Sequence, residues 1–231
     1  MAVDEALLES AADSGQATLR FYTWQEPTLS LGYFQSVADR QQHFASLDCP
    51  LVRRASGGGA ILHDRELTYS ITLPQPAASA ALYDACHESL IAALGELGVV
   101  ATMFRQSASC NGQDTQANQE PFLCFQRRTC SDIVCKEAKI AGSAQRRRRG
   151  AVLQHGSILL GRSGFAPELL GIEDVAGIKL TAAELIARWP PHLAARLDLS
   201  TRDSRLSASE NSRAEALAAS RFASAGHLER R

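Results

Sequence analysis

Apolar positions recur along this chain with a period that changes several times, and the changes mark out its elements. Val3, Ala6, Leu7 and Ala11 fall on one face at helical spacing and Gly15 follows as a stop, which predicts an N-terminal helix over residues 3–12. From Thr18 to Gln25 the order alternates, with Leu19, Phe21 and Thr23 opposite Arg20, Tyr22 and Trp24, the period of a strand. Pro27 opens a second extended stretch through Leu31, and Ser36 is placed to cap a short helix from Val37 toward Phe44. Leu51 to Arg54 reads as a strand entering a glycine-rich loop, and Ala60 to Leu62 and Leu67 to Leu73 read as strands leaving it. Leu82, Ala85, Leu90, Ala93, Leu94 and Leu97 lie on one face of a long helix over 78–97, closed by Gly98 and followed by a strand to Phe104.

Small and polar residues fill 106–119, which predicts a mobile loop. Ile133 to Cys135, Lys139 to Gln145 and Ala151 to Leu160 then read as consecutive strands, with residues 136–138 and the run Arg146 to Arg149 as turns. Beyond Gly161 the strand period ends. From about residue 165 the spacing is helical, interrupted at Pro190-Pro191 and by a polar connector over 200–212. The pattern describes an α/β (α+β) unit of mixed and antiparallel sheets with flanking helices, in which 1–164 form the core and 165–231 a short helical subregion of the same domain.

Composition narrows the class. A chain of 231 residues with 45% hydrophobic and 21% charged content has enough apolar material for a substantial core. A net charge of −1 argues against a globally basic nucleic-acid binder, and no run is long and apolar enough to span a membrane. The N-terminal segment carries Asp4 and Glu5 where a secretory signal would be basic and then apolar, so a cytoplasmic protein is expected, with its six cysteines reduced. No Cys-x-x-Cys pair occurs, so no metal site is expected. Arg146 to Arg149 has two readings, a solvated hairpin tip or a docking patch for an acidic partner.

The candidate chemistry lies in Arg53 to Ala60, which contains Gly57, Gly58 and Gly59, in Lys139 to Gln145, and in Cys124, fifteen residues before that lysine. A thiolate is the strongest common nucleophile at neutral pH, and a neighbouring ammonium lowers its pKa from a free value of about 8.5. A lysine can also hold the oxyanion of an acyl carbonyl, a role worth on the order of 3 kcal/mol. Consecutive glycines let backbone approach a ligand closely. The loop sits between strands and lacks a Gly-Lys-Ser/Thr ending, which excludes a Walker-type phosphate loop. Cysteine is also a small buried apolar residue, and that remains the plain reading of Cys124 as well as of Cys130 and Cys135. His63 can line an acyl slot, act as a base or satisfy buried backbone. Tyr33 and Phe34 are candidate slot walls or ordinary core.

In order and spelling these segments resemble the lipoate and octanoate transfer family, which shares a catalytic fold with biotin protein ligases. The resemblance runs through Val3 to Leu8, Thr28 to Gln35, Arg53 to Asp64, Lys139 to Gln145 and Leu153 to Ser157, about two thirds of the chain. Within the family, ATP-dependent ligases activate free lipoate, whereas octanoyltransferases work through a cysteine thioester. Cys124-Phe125 and its separation from Lys139 match the cysteine-dependent octanoyl-acyl carrier protein branch, although Gln126 to Asp132 departs from that branch's more apolar filling. The resemblance therefore implies Cys124 and Lys139 as catalytic residues. It implies Arg54, Ser56, Gly57, Gly58, Gly59, His63, Gly142, Ser143, Gln154, His155 and Gly156 as substrate-binding. It further implies acyl carrier protein as donor and a lipoyl domain or a glycine-cleavage H-type carrier protein as acceptor, with no cofactor; ATP and Mg enter only if the ligase alternative holds. A non-catalytic lipoate- or octanoate-binding module is the reading from a different class.

Overall fold

The computed structural model describes residues 1–74, 79–105 and 121–229. The expected loop over 106–119 lies outside the described residues. Helix α1 spans Ala2–Ser14 and ends on Gly15, whose φ of 71° is the left-handed cap that glycine adopts without strain. Strands β1 (Thr18–Tyr22), β2 (Thr28–Leu31), β3 (Leu51–Arg53), β4 (Ile61–His63) and β5 (Glu66–Pro74) follow, then α2 (Ser79–Glu96) and β6 (Thr102–Met103). Strands β7 (Ile133–Cys135), β8 (Ala138–Arg148) and β9 (Ala151–Leu159) complete the sheets. Helices α3 (Ile172–Ala176), α4 (Ala182–Leu197), α5 (Ala208–Leu217) and α6 (Ala225–Leu228) close the chain.

The strands form an antiparallel six-stranded sheet in the order β1-β5-β9-β8-β7-β6 and a three-stranded sheet in the order β3-β2-β4. In the smaller sheet β2 is parallel to β3 and antiparallel to β4. This is the mixed α/β architecture expected from the residue pattern.

Both faces of the large sheet are covered. On β5, Leu67, Tyr69 and Ile71 point into a core with Leu90 and Leu94 of α2 and Trp189 of α4. The alternating Glu66, Thr68, Ser70 and Thr72 point to the opposite face and are buried as well. That polar face is matched by polar groups: Asp4 of α1 accepts hydrogen bonds from Ser70 Oγ and Arg20, both at 2.8 Å. A second core joins Leu29, Leu31 and Leu62 of the small sheet to Leu123 and Leu159. The C-terminal helices pack onto the core, α4 through Trp189 and α5 through Ala214 and Leu217 against Ala6.

Four expectations change, the first being the polar connector over 200–212, which is helix α5 from Ala208. The strand expected over 99–104 is only Thr102–Met103. Pro190 and Pro191 lie inside α4, because a buried stripe of Leu185, Trp189 and Leu193 anchors the helix on both sides of them. The arginine run is a hairpin tip only at its end, where Arg149 is exposed. Arg146 to Arg148 belong to β8, and the turn falls at Arg149 and Gly150, both with positive φ. Arg146 and Arg148 turn inward to Glu5 at 3.3 and 2.7 Å, and Arg221 reaches the same carboxylate at 2.9 Å.

Glu5 is 1% exposed and gathers three guanidinium groups, so its neutralisation strands partly buried cations. Glu5→Gln is expected to cost roughly 2 kcal/mol, less than a fully buried pair because the arginines remain partly solvated. A lowered urea midpoint with an unchanged slope checks this; an unshifted midpoint would show that the cluster is dispensable.

Candidate active site

Arg54 begins the site. Its guanidinium is buried under the glycine loop and donates to Ser30 O at 2.7 Å, Ser30 Oγ at 2.8 Å and Gly59 O at 2.7 Å. Burial pushes its pKa down to about 10, with the Cys124 and Glu66 charges acting the other way, so it remains a cation at neutral pH. The loop it holds is stitched to the segment carrying the thiol: Ala60 N donates to Phe122 O at 2.8 Å and Cys124 N to Ala60 O at 2.7 Å. Gly59 is required there, since a Cβ would stand 3.0 Å from both Cys124 N and Phe122 O. Gly58 has φ of +96°, and a Cβ on it would lie 3.9 Å from Cys124 Sγ. The loop backbone therefore passes directly beside the sulfur.

Lys139 enters from the start of β8. Its ammonium is 2.8 Å from Asp132 Oδ2 and 3.4 Å from Cys124 O, and it sits 5.3 Å from the centre of the Phe125 ring. Asp132 is fixed by Thr129, whose N–H and hydroxyl donate to it at 2.6 and 3.0 Å. Gly142 makes room for this ion pair, because a Cβ would lie 2.8 Å from Lys139 Cε and 3.1 Å from Asp132 Oδ1.

A cavity of about 290 Å³ joins these groups, close to the lower end of small-molecule sites at about 300 Å³. Its floor crosses the large sheet along one line of register, Tyr22 to Thr68 to Ser157 to Gly142. Four strands at about 4.8 Å spacing make a trough about 14 Å long. Trp24 closes one side, stacked on His63 at 4.1 Å with its indole N–H on Thr68 Oγ1 at 3.0 Å. His63 is committed at both ring nitrogens, to Glu66 and to Ser30 Oγ, each at 2.7 Å. Burial works to raise the Glu66 pKa, but His63 and neighbouring hydrogen bonds hold it below the usual carboxylate range. His63 is thus a wall residue, and the geometry does not leave it free to act as a base.

Every residue expected at the site lines this cavity except Ser56, Gly59 and Gln154. These three stand one layer behind it. Ser56 Oγ contacts His155 Nε2 at 2.6 Å, Gly59 makes the close approach to Cys124, and Gln154 donates to Tyr69 OH at 2.9 Å. Phe34 does not wall the slot; it is 79% exposed outside the loop. Cys135 is buried in the core, whereas Cys130 is exposed. Asp132, Trp24, Tyr22 and Thr68 were not singled out from the sequence. A buried lysine demands a counter-charge, which points to an acid nearby in the fold, but the register that brings Tyr22 and Thr68 to the trough has no local signature. Among the described residues no group of three His, Cys, Asp or Glu side chains is placed to hold a metal, and no helix is long and apolar enough to cross a membrane.

A thiol, a buried ammonium and an aromatic-walled trough on a mixed α/β scaffold define an enzyme domain that handles an acyl chain. The family comparison agrees: residues 1–165 match the lipoyl protein ligase A/B catalytic domain, and the chain belongs to that family. It is 33% identical over 250 residues to octanoyltransferase LipM of Kyrpidia tusciae, covering 95% of this chain and 90% of the relative. It is 31% identical over 252 residues to octanoyltransferase LipM of Brevibacillus brevis, covering 96% and 91%. The fold also superposes on a bi-partite lipoate protein ligase of Thermoplasma acidophilum, studied with its E2 lipoyl domain, with a TM-score of 0.76 at 20% identity over 99% of this chain and 89% of that one.

Two outcomes follow from the geometry. Gly142→Ala is expected to displace the Lys139 and Asp132 side chains and lower acyl-transfer activity by roughly ten- to a hundredfold without unfolding the protein, read by initial rates beside a melting curve. His155 has its pKa lowered to about 4, chiefly by burial and with Arg54 adding to it, against an ordinary value of 6.5. The unfolded chain therefore binds the extra proton first, and stability is lost as pH falls from about 6.5 to about 4, by up to roughly 3 kcal/mol. Denaturant midpoints across that window should drop for the native protein and drop less for His155→Gln; equal slopes would contradict the assignment.

Proposed function

We propose that this protein is an octanoyltransferase of lipoate biosynthesis that works in two half-reactions. Cys124 takes the octanoyl group from acyl carrier protein as a thioester and passes it to a lysine of a lipoyl carrier domain, either a lipoyl domain or a glycine-cleavage H-type protein. The observation that carries this reading is the convergence of Cys124 and the Lys139 ammonium on one end of an acyl-sized trough, in a chain whose curated relatives are octanoyltransferases.

The parts have separable roles. Gly57, Gly58 and Gly156 let backbone line the trough, and Trp24, Ile61 and Phe125 supply apolar wall. Burying the aliphatic chain contributes about 0.8 kcal/mol per CH₂, which makes chain length readable. The buried Arg54 and Lys139 cations line the same cavity as the Cys124 thiol. In this reading Lys139, which pairs with Asp132, holds the thioester oxyanion. The reading needs neither ATP nor a metal, and it places the enzyme in the cytoplasm with its carrier proteins.

Mixing the protein with octanoyl-acyl carrier protein in the absence of ATP should give a hydroxylamine-labile octanoyl adduct by intact mass spectrometry in wild type and none in Cys124→Ser. Transfer that requires ATP and survives Cys124→Ser would replace this reading with a lipoate ligase. Tight binding of octanoate with no turnover under either condition would make the protein a binding module.

A further inference from the structure

His87 lies in the middle of α2, is 1% exposed, and takes no part in the site as described so far. Its Nδ1 faces the Ser131 carbonyl oxygen. That oxygen can only accept, so Nδ1 carries the ring hydrogen. Its Nε2 is 2.6 Å from Ser143 Oγ, and in the neutral ring this nitrogen offers only a lone pair, so the Ser143 hydroxyl donates to it. Tyr69 OH, 2.6 Å from the same Oγ, then donates to Ser143 while accepting from Gln154 Nε2 at 2.9 Å. Each polar atom in this chain has a defined direction.

Burial lowers the His87 pKa, opposed by the Ser131 carbonyl and by Asp132 and Asp84, so the ring is neutral at physiological pH. The groups around it are Tyr83 and Asp84 on α2, Asp132 in the turn before β7, and Lys139 on β8. Ser143 lines two cavities. One is the acyl trough; the other, of about 150 Å³, has His87 in its wall together with the exposed Thr129 and Cys130. Ser143 thus borders the trough on the side that Tyr83 of α2 also lines, and the imidazole borders the second cavity. A hydroxyl donating to a neutral imidazole is the arrangement that carries a proton away from a reacting group.

We infer that Ser143 and His87 form a relay that takes up the proton the acceptor lysine must shed before it attacks the Cys124 thioester. The inference rests on the proposed octanoyl transfer. In the step, one N–H proton of the incoming ammonium passes to Ser143 Oγ as the Ser143 proton passes to His87 Nε2. The freed amine forms the C–N bond, and the C–S bond breaks with its electron pair going to sulfur. The second N–H proton neutralises the Cys124 thiolate, and His87 returns its proton to water through the second cavity. Ser143 meets the substrate, and His87 acts through it.

The two half-reactions separate this role from a structural one, because forming the acyl-enzyme requires no amine deprotonation. Octanoyl-acyl carrier protein is mixed with wild type, His87→Asn and His87→Gln, and formation of the Cys124 adduct is timed by intact mass. A lipoyl domain is then added and transfer is timed from pH 6 to pH 9. His87→Asn keeps a donor for the Ser131 carbonyl and His87→Gln keeps an acceptor for Ser143, so one variant remains informative if the other does not fold. In both, the transfer rate at pH 7 should fall at least about tenfold more than the acylation rate, with the gap closing as pH rises and the lysine deprotonates unaided. Equal slowing of both half-reactions with an unchanged pH profile, or unimpaired transfer, would overturn the relay. Wild type that forms no adduct would overturn the octanoyl-transfer reading itself, and the relay with it.

Discussion

A single buried cation organises this molecule. Among the described residues no carboxylate is in direct contact with Arg54; its charge is met by the Ser30 and Gly59 carbonyls and the Ser30 hydroxyl. Burying an ion costs several kcal/mol unless its donors are satisfied in good geometry, so strand β2 and the glycine loop are tied to one arrangement. That arrangement puts Gly58 beside Cys124 Sγ and lets Ala60 pair with the segment that carries the thiol. The same guanidinium keeps a positive charge beneath the sulfur. Rigidity of the loop and electrostatics of the nucleophile come from one side chain.

The second constraint is a sheet buried on both faces. One face is conventional apolar core against α2 and α4. The other is polar and also covered, so its groups must find partners inside the protein. Near α1 they do so through Asp4 and Glu5, whereas the chain of Gln154, Tyr69, Ser143 and His87 satisfies polar groups on the α2 side of the sheet. On that polar face the trough opens, with Gly142 and Gly156 in its wall where larger side chains would meet neighbours at under 3 Å. The acyl site is therefore the gap that the polar face leaves, with Lys139 and Asp132 at its Gly142 end.

Much of this was visible in the residue pattern. The strands around the glycine loop, the helix over 79–96 and the hairpin of β8 and β9 follow from periodicity and from Gly15 and Gly98 as stops. Cys124, Lys139, Gly57, Gly58 and Gly142 were named from local spelling, and they meet in the cavity. The inward turn of Arg146 and Arg148 was missed because charge density alone does not tell a solvated turn from a strand whose partner is a buried carboxylate 143 residues away. The double proline inside α4 was misread because packing of Trp189 outweighs the local penalty.

By itself, the sequence determined which segments are helix and strand, that a thiol and a lysine stand near a flexible backbone loop, and which family the chain belongs to. These are local properties, set by side-chain period and by the chemistry of adjacent residues. Only the tertiary structure decided that Tyr22, Thr68, Ser157 and Gly142 share one line across four strands, that Lys139 is held by Asp132, and that His87 meets Ser143. Strand order and register are set by which faces can be buried together, a property of the whole chain that no short segment carries.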